Sequence, residues 1–377
     1  MRNLHWGDVA ELRYGKSIRE YPSEPSDDFR FRVFGTNGPI GWHNEPLVEA
    51  PGIIIGRKGA YRGVHFSQQP FFVIDTAYYL KINDPEIDLK WAYYQLTTVD
   101  INRMDSGSAI PSTKREDFYS IPVSIPKLST QQRIAEILTS YDALMENNRR
   151  RMELLEESAR LLYREWFVRL RFPGHEHARL TSGIPSGWER VPTPEAIEIN
   201  PTTRLSDEEE RWYVEMANLP TDSMVIQSAI KRDGRSGSKF RNGDTLLARI
   251  TPCLENGKTG FVNFMADGES GRGSTEFIVL RSKRVTPEFV YCLARTYDFR
   301  ENAIKSMIGS SGRQRVQESC FEKFIVLVPP RSLLELFSES AKPMFQQIRV
   351  LHLQNQKLRV ACDLLLPRLM SGEIELA

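Results

Sequence analysis

Two stretches of this 377-residue sequence gather cations among glycines, a composition suited to holding an anionic polymer. Gly56-Arg57-Lys58-Gly59-Ala60-Tyr61-Arg62-Gly63 carries three cations, one aromatic ring and no acid. Residues 231–241, KRDGRSGSKFR, carry five cations against Asp233, and Arg249, Lys258 and Arg313-Gln314-Arg315 follow. Arginine presents a planar fork that matches guanine O6 and N7, and Arg, Lys, Asn and Gln among Gly and Ser suit base edges and phosphates. The candidate DNA contacts are Asn37, Arg57, Lys58, Tyr61 and Arg62 in the first half, and Lys239, Arg249, Asn256, Lys258, Arg313 and Arg315 in the second. The competing reading of each is an ordinary solvated surface side chain. The stronger signal is that each half of the chain carries one such patch.

Catalytic constellations are missing. Gly257-Lys258-Thr259 resembles the end of a phosphate-binding loop, but the glycine that motif needs five residues earlier is Pro252. Asn200-Pro201-Thr202-Thr203 resembles the Asn-Pro-Pro-aromatic loop of amino-methyltransferases, without its second proline and stacking ring. No Gly-x-Gly-x-x-Gly follows a strand pattern. Of the six histidines only His175 and His177 lie close, at a spacing that suits neither a helix face nor a zinc-protease motif. Acidic runs such as Asp27-Asp28 and Glu208-Glu209-Glu210 read as solvated loops. The four cysteines are scattered and form no C-x-x-C, so neither a disulfide framework nor a metal site is expected.

Composition bounds the answer further. Hydrophobic residues at 40% and charged residues at 26% make an ordinary globular balance. Fifty basic and 49 acidic residues leave a net charge of +1, which argues against a protein that coats nucleic acid non-specifically and leaves local basic patches possible. No run approaches the ~18 apolar residues of a membrane span, and the N-terminus lacks the apolar core of a signal peptide. A soluble protein of a reducing cytoplasm is expected.

The elements that must position the patches come in two copies. Residues 106–126 and 309–329 align, with Ser108 over Ser311, Phe118 over Phe321 and Pro126 over Pro329, 203 positions apart. In both copies a β-branched run ends in proline and a long helical pattern follows. Ile134, Leu138, Tyr141, Met145, Asn148, Met152, Leu155, Ala159, Leu162 and Trp166 step by four and three. Phe337, Ala341, Met344, Ile348, Leu351, Asn355, Leu358, Cys362, Leu365 and Leu369 repeat that phase at the same offset. A 4-3 spacing sustained this long marks the seam of a helix pair. The first helix should run from about Ser129, with Ser129 or Thr130 as N-cap, to about Leu170, roughly 60 Å at 1.5 Å per residue. The second should run from Ser332 to Leu366, interrupted by a kink near Lys342 because Pro343 lacks an amide, and weakened at Pro367. Asn148 and Asn355 are either solvent-facing positions or a polar pair fixing register. The globular segments before the helices, 1–126 and about 181–329, open with Leu4-His5-Trp6-Gly7-Asp8 and Ser186-Gly187-Trp188-Glu189-Arg190. Both read as mixed segments rich in short strands. Two heads on a stiff spacer would suit a split target, since heads reading one duplex face prefer spacings near a turn of ~34–36 Å.

These phrases resemble the specificity subunit of type I restriction–modification systems over nearly the whole chain. The resemblance rests on Ser129-Thr130-Gln131-Gln132-Arg133-Ile134-Ala135, Arg164-Glu165-Trp166-Phe167-Val168-Arg169, Phe172-Pro173-Gly174-His175-Glu176 and Leu365-Leu366-Pro367-Arg368-Leu369-Met370-Ser371-Gly372-Glu373-Ile374. Within the heads it rests on Phe34-Gly35-Thr36-Asn37-Gly38-Pro39-Ile40-Gly41 and on residues 248–259. Leu334-Glu335-Leu336-Phe337 departs from the Gln-Gln-Arg-Ile phrase of the first helix. The resemblance implies two target recognition domains reading unlike halves of an interrupted double-stranded DNA sequence in a prokaryotic cytoplasm. It implies a spacer of two antiparallel helices, and two methyltransferase subunits that use S-adenosylmethionine to methylate adenine N6. ATP-driven, magnesium-dependent restriction subunits would join where present, with no cofactor on this chain.

The resulting expectation is an α+β protein with a pseudo-two-fold internal repeat. Its parts are recognition domain 1 (1–128), spacer helix 1 (129–172), linker and recognition domain 2 (173–330), and spacer helix 2 with tail (331–377). The seam is expected at Leu138, Met145, Asn148, Leu155, Leu162, Ile348, Asn355, Leu358 and Leu365. The competing readings are a coiled-coil scaffold that tethers partners without touching DNA, and a self-contained nuclease or methyltransferase.

Overall fold

The computed structural model describes residues 1–104, 110–181, 183–205, 210–234, 236–310, 312–374 and 376. Ser108 and Ser311 of the repeat, Glu208 and Glu209 of the acidic run and Arg235 of the second basic patch lie outside them.

Two long helices, α1 (Leu128–Tyr163) and α2 (Arg331–Met370), carry the 4-3 pattern, and α1 continues into a π-helical turn over Arg164–Val168. Every seam position read from the sequence is buried or half-buried. Two expectations fail. Ser129 and Thr130 lie inside the first turn of α1, not at its cap, where the Gln131 side-chain amide ties the helix to the incoming strand by donating to the Pro126 carbonyl at 2.9 Å. Helix α2 passes through Pro343 and Pro367 without a break. Pro343 faces solvent, so the bond it forfeits lies on the wet side, while buried Ala341 and Phe345 anchor the helix on either side of it.

The chain forms two compact units, Met1–Leu144 with Lys357–Ala377, and Met145–Gln356. Each takes part of both helices. In the first unit Ile134, Ala135 and Leu138 share a core with Leu365, Leu366 and Leu369. In the second, Asn148 Nδ2 donates to Asn355 Oδ1 at 2.9 Å, while Tyr163 and Phe167 meet Phe337 at ring distances of 6.3 and 5.0 Å. Late positions of α1 therefore meet early positions of α2, and the pair is antiparallel.

The sheets of the two units repeat one topology. In the first unit, strands Ala10–Tyr14, Ala77–Ile82, Gly52–Gly56 and Val64–Ser67 lie side by side, all antiparallel. In the second, Ile197–Ile199, Phe277–Ser282, Thr245–Ala248 and Thr259–Phe261 take the same places. A second sheet pairs Phe31–Gly35 antiparallel with Gly38–His43 and parallel with Phe71–Val73. Its counterpart pairs Arg211–Val214 antiparallel with Ile230–Arg232 and parallel with Ser270–Gly273, and adds Ser238–Arg241. Arg2–His5 closes on Pro122–Ile125, and Glu189–Pro192 on Ile325–Val328. The fully buried Gly52-Ile53-Ile54-Ile55-Gly56 and Phe277-Ile278-Val279-Leu280 runs are central strands, covered on both faces, which is why they read as continuous rather than alternating apolar sequence. One helix packs near each: Leu89–Thr97, capped by Asp88 through the Trp91 amide at 2.8 Å, and Pro287–Ala294, capped by Thr286.

Candidate nucleic-acid interface

In the first unit the basic patch is the loop leaving the central strand Gly52–Gly56. Gly56 starts it because a Cβ there would fall 2.2 Å from the Thr36 carbonyl oxygen. The loop is laced down by Gly59 N to Pro111 O at 2.9 Å, Thr36 Oγ1 to Lys58 O at 2.5 Å, and Gly63 N to Thr36 O at 3.1 Å. Arg57 donates to the Asp75 carbonyl at 2.8 Å and lies 4.8 Å from the Tyr14 ring, where Arg115 also lies at 4.1 Å. Tyr14 packs on Tyr78, whose hydroxyl burial pushes up to about 12. Lys58 and Asn37 are exposed, and Tyr61 stands 79% exposed, an aromatic face open to a partner.

Arg62 breaks with the expectation. It is 3% exposed, and its guanidinium donates to the carbonyls of Ile101, Asn102 and Met104 at 3.0, 3.0 and 2.8 Å. An arginine so enclosed presents no donor outward, and we remove it from the proposed contacts.

In the second unit Arg249 leaves strand Thr245–Ala248 and binds Glu318 and the Val316 carbonyl, each at 3.2 Å. Arg315 grips Glu276 with two donors at 2.9 and 2.7 Å and holds that carboxyl below its ordinary range. Lys239 and Arg249 wall a cleft of about 330 Å³ with Asn200, Thr202, Gly237 and Thr275. The Asn-Pro-Thr-Thr stretch therefore borders the basic patch. Lys258 is held elsewhere, with Nζ on the Met216 carbonyl at 2.7 Å, and Asn256 and Arg313 are exposed. The structure thus brings Lys239, Arg249 and Arg315 together and does not join Asn256 and Lys258 to them.

The two patches share a backbone frame. Arg57 N donates to Thr76 O and Arg249 N to Glu276 O, both at 2.9 Å. Thr113 N donates to Arg57 O and Val316 N to Arg249 O, again at 2.9 Å. Lys58 bridges Ser112 where Ile250 bridges Arg315. Arg57 and Arg249 hence occupy one structural slot in two heads. Sequence reasoning named both without seeing their equivalence, because loops of unequal length separate them from the helices that set the 203-residue offset. It missed Arg115, Tyr14, Glu276 and Arg272 altogether, since each meets its patch only through contacts between segments distant in sequence.

Among the described residues no group of three His, Cys, Asp or Glu could hold a metal ion, and no helix is long and apolar enough to cross a membrane. The model of the type I restriction modification DNA specificity domain matches residues 4–157. The chain is 25% identical over 311 residues to the type I restriction enzyme MjaIX specificity subunit of Methanocaldococcus jannaschii, covering 76% of this chain and 69% of that one. It is 30% identical over 158 residues to the EcoEI specificity subunit of Escherichia coli, 40% of this chain and only 26% of that protein. The fold is similar to the crystal structure of a type I restriction–modification S subunit from M. genitalium, with a TM-score of 0.63 at 17% identity over 98% of this chain and 95% of that one.

Proposed function

We propose that this chain is a specificity subunit of the type I restriction–modification kind and reads one part of an interrupted, asymmetric DNA sequence with each head. The observation that carries this is the shared slot of Arg57 and Arg249: one backbone frame, used twice, ends each time in a guanidinium. The surroundings of the two arginines differ, so the half-sites should differ. The contacts we assign are Asn37, Arg57, Lys58 and Tyr61 in the first head, and Lys239, Arg249, Asn256, Lys258, Arg313 and Arg315 in the second. The antiparallel helices act as the spacer, over the domain boundaries read from the sequence. Catalysis falls to other chains: two methyltransferase subunits supply S-adenosylmethionine chemistry at adenine N6, and restriction subunits, where present, use ATP and magnesium, all in a prokaryotic cytoplasm. Leu154, Leu161 and Val168 lie one heptad apart, outside the seam and 54%, 39% and 55% exposed, and we assign this apolar row to a docked partner.

Mapping N6-methyladenine in cells that carry the chain with its methyltransferase tests the reading. A two-part, asymmetric motif with an unread gap is expected. The purified chain should also bind random duplex with affinity falling steeply with salt, log K dropping by ~0.9 per neutralised phosphate per decade. Loss of the chain without change in the methylation pattern, or absence of salt-dependent binding, would favour the scaffold reading.

A further inference from the structure

Arg62 and Arg272 are buried arginines that serve the loops instead of the core. Arg62 gathers the carbonyls of Ile101, Asn102 and Met104 and, at 3.4 Å, that of Gly59, next to Lys58. Its own backbone is clasped by Asn102, which accepts from Arg62 N at 2.8 Å and donates to Arg62 O at 3.1 Å. Arg272, 2% exposed in strand Ser270–Gly273, gathers the carbonyls of Arg232 at 2.8 Å, of Asp233, and of Ser236 at 3.4 Å. Those residues form the turn of the second basic patch, ahead of Lys239. Gly234, at φ +120°, brings the turn down onto the guanidinium, and a Cβ there would sit 3.0 Å from Arg272 Nη2.

The chemistry is the same in both heads. Among the described residues neither guanidinium has a carboxylate partner, and both leave Nε unbonded. Filling space alone would call for an apolar side chain, because an enclosed cation loses its hydration. A planar five-donor fork is the side chain that can hold several carbonyls of one irregular segment at fixed angles. Its unpaired charge also sits behind a loop whose front bears exposed cations, which adds to the attraction for an anion that it does not touch.

We propose that Arg62 and Arg272 are positioning residues: each fixes the path of the recognition loop in its own head and makes no contact with DNA. The proposal rests on the DNA-reading function given above. Arg62→Met and Arg272→Met are tested in the full chain assembled with its methyltransferase, selecting methylated duplexes from a library randomised in both half-sites. Each variant should lose about tenfold of discrimination, the size of one spoiled base contact, in one half-site only, and the two should spoil different halves. The dependence of binding on salt should keep its wild-type slope. Arg62→Lys and Arg272→Lys should behave like the methionine variants, since the lysine chain is one atom shorter and its ammonium stops short of the Nη2 position that the close carbonyls share. Gly234→Ala keeps Arg272 and lifts the turn, so it should spoil the same half as Arg272→Met. Unchanged discrimination, equal loss in both halves, or a salt slope lower by about one unit per arginine, the mark of a direct phosphate contact, would overturn the proposal. A wild-type complex without sequence preference would instead overturn the DNA-reading function itself.

Discussion

Arg315 is exposed and cationic, yet Glu276 occupies its fork at 2.7 and 2.9 Å. A phosphate must displace that carboxylate before it gains the charge. Glu276→Gln removes the competitor, so affinity for random duplex should rise and the salt slope should steepen by about one unit, read by fluorescence anisotropy across a salt series. An unchanged slope would show that Arg315 meets no phosphate. The pair is largely solvent-screened, so its loss should leave stability little changed. The Glu276 carboxyl is depressed below 4.5, chiefly by the Arg315 hydrogen bond, so what it contributes is present above about pH 4.5 and lost as pH falls through the folded value. Residue types gave the sequence reading its candidates, and cations among glycines are visible without a structure. Which of them is free is not visible: Arg57, Lys58 and Arg62 look alike in sequence, while one stacks on a ring, one stands exposed and one is enclosed. The deciding partners are main-chain carbonyls, which no residue type announces.

In the helices the polar pair decides between register and stability. Asn148 donates to Asn355 Oδ1, and Asn355 donates to the Met145 carbonyl, each at 2.9 Å. Asn148→Leu alone strips Asn355 of its donor within a seam and should cost ~1–3 kcal/mol. Asn148→Leu with Asn355→Leu removes both polar groups and should melt above the single variant, and above the wild type by a few degrees if packing closes, since such pairs fix register at the expense of stability. Thermal denaturation of the set gives the coupling directly; a double variant that melts below the single one would show that the pair stabilises outright. The seam was legible because 4-3 spacing is a one-dimensional consequence of helix pairing. The break at Pro343 was misjudged because a proline's cost depends on which face its missing amide points to, and here it points to water.

Across the whole molecule the repeat was legible where packing forbids insertion and illegible where loops tolerate it. Phe118 and Phe321, both fully buried, keep the helix offset, whereas the matching sheets were recovered only from strand order, since a short strand carries little sequence signal. Two heads with separate cores and one shared frame predict that recognition energies add. Arg57→Ala and Arg249→Ala should each relax preference in a different half-site and cost ~1–3 kcal/mol of specific binding. The double variant should cost the sum to within ~0.5 kcal/mol, because among the described residues the two share no partner. The costs should be unequal. Arg57 is held by a neutral carbonyl and an aromatic ring, so its charge is ready for a base edge. Arg249 must first leave Glu318, which offsets part of what it gains on binding. Affinities for the full target and for targets with either half scrambled separate these terms. Equal costs, or a double variant no worse than one single, would show that the shared slot does not read the two halves independently.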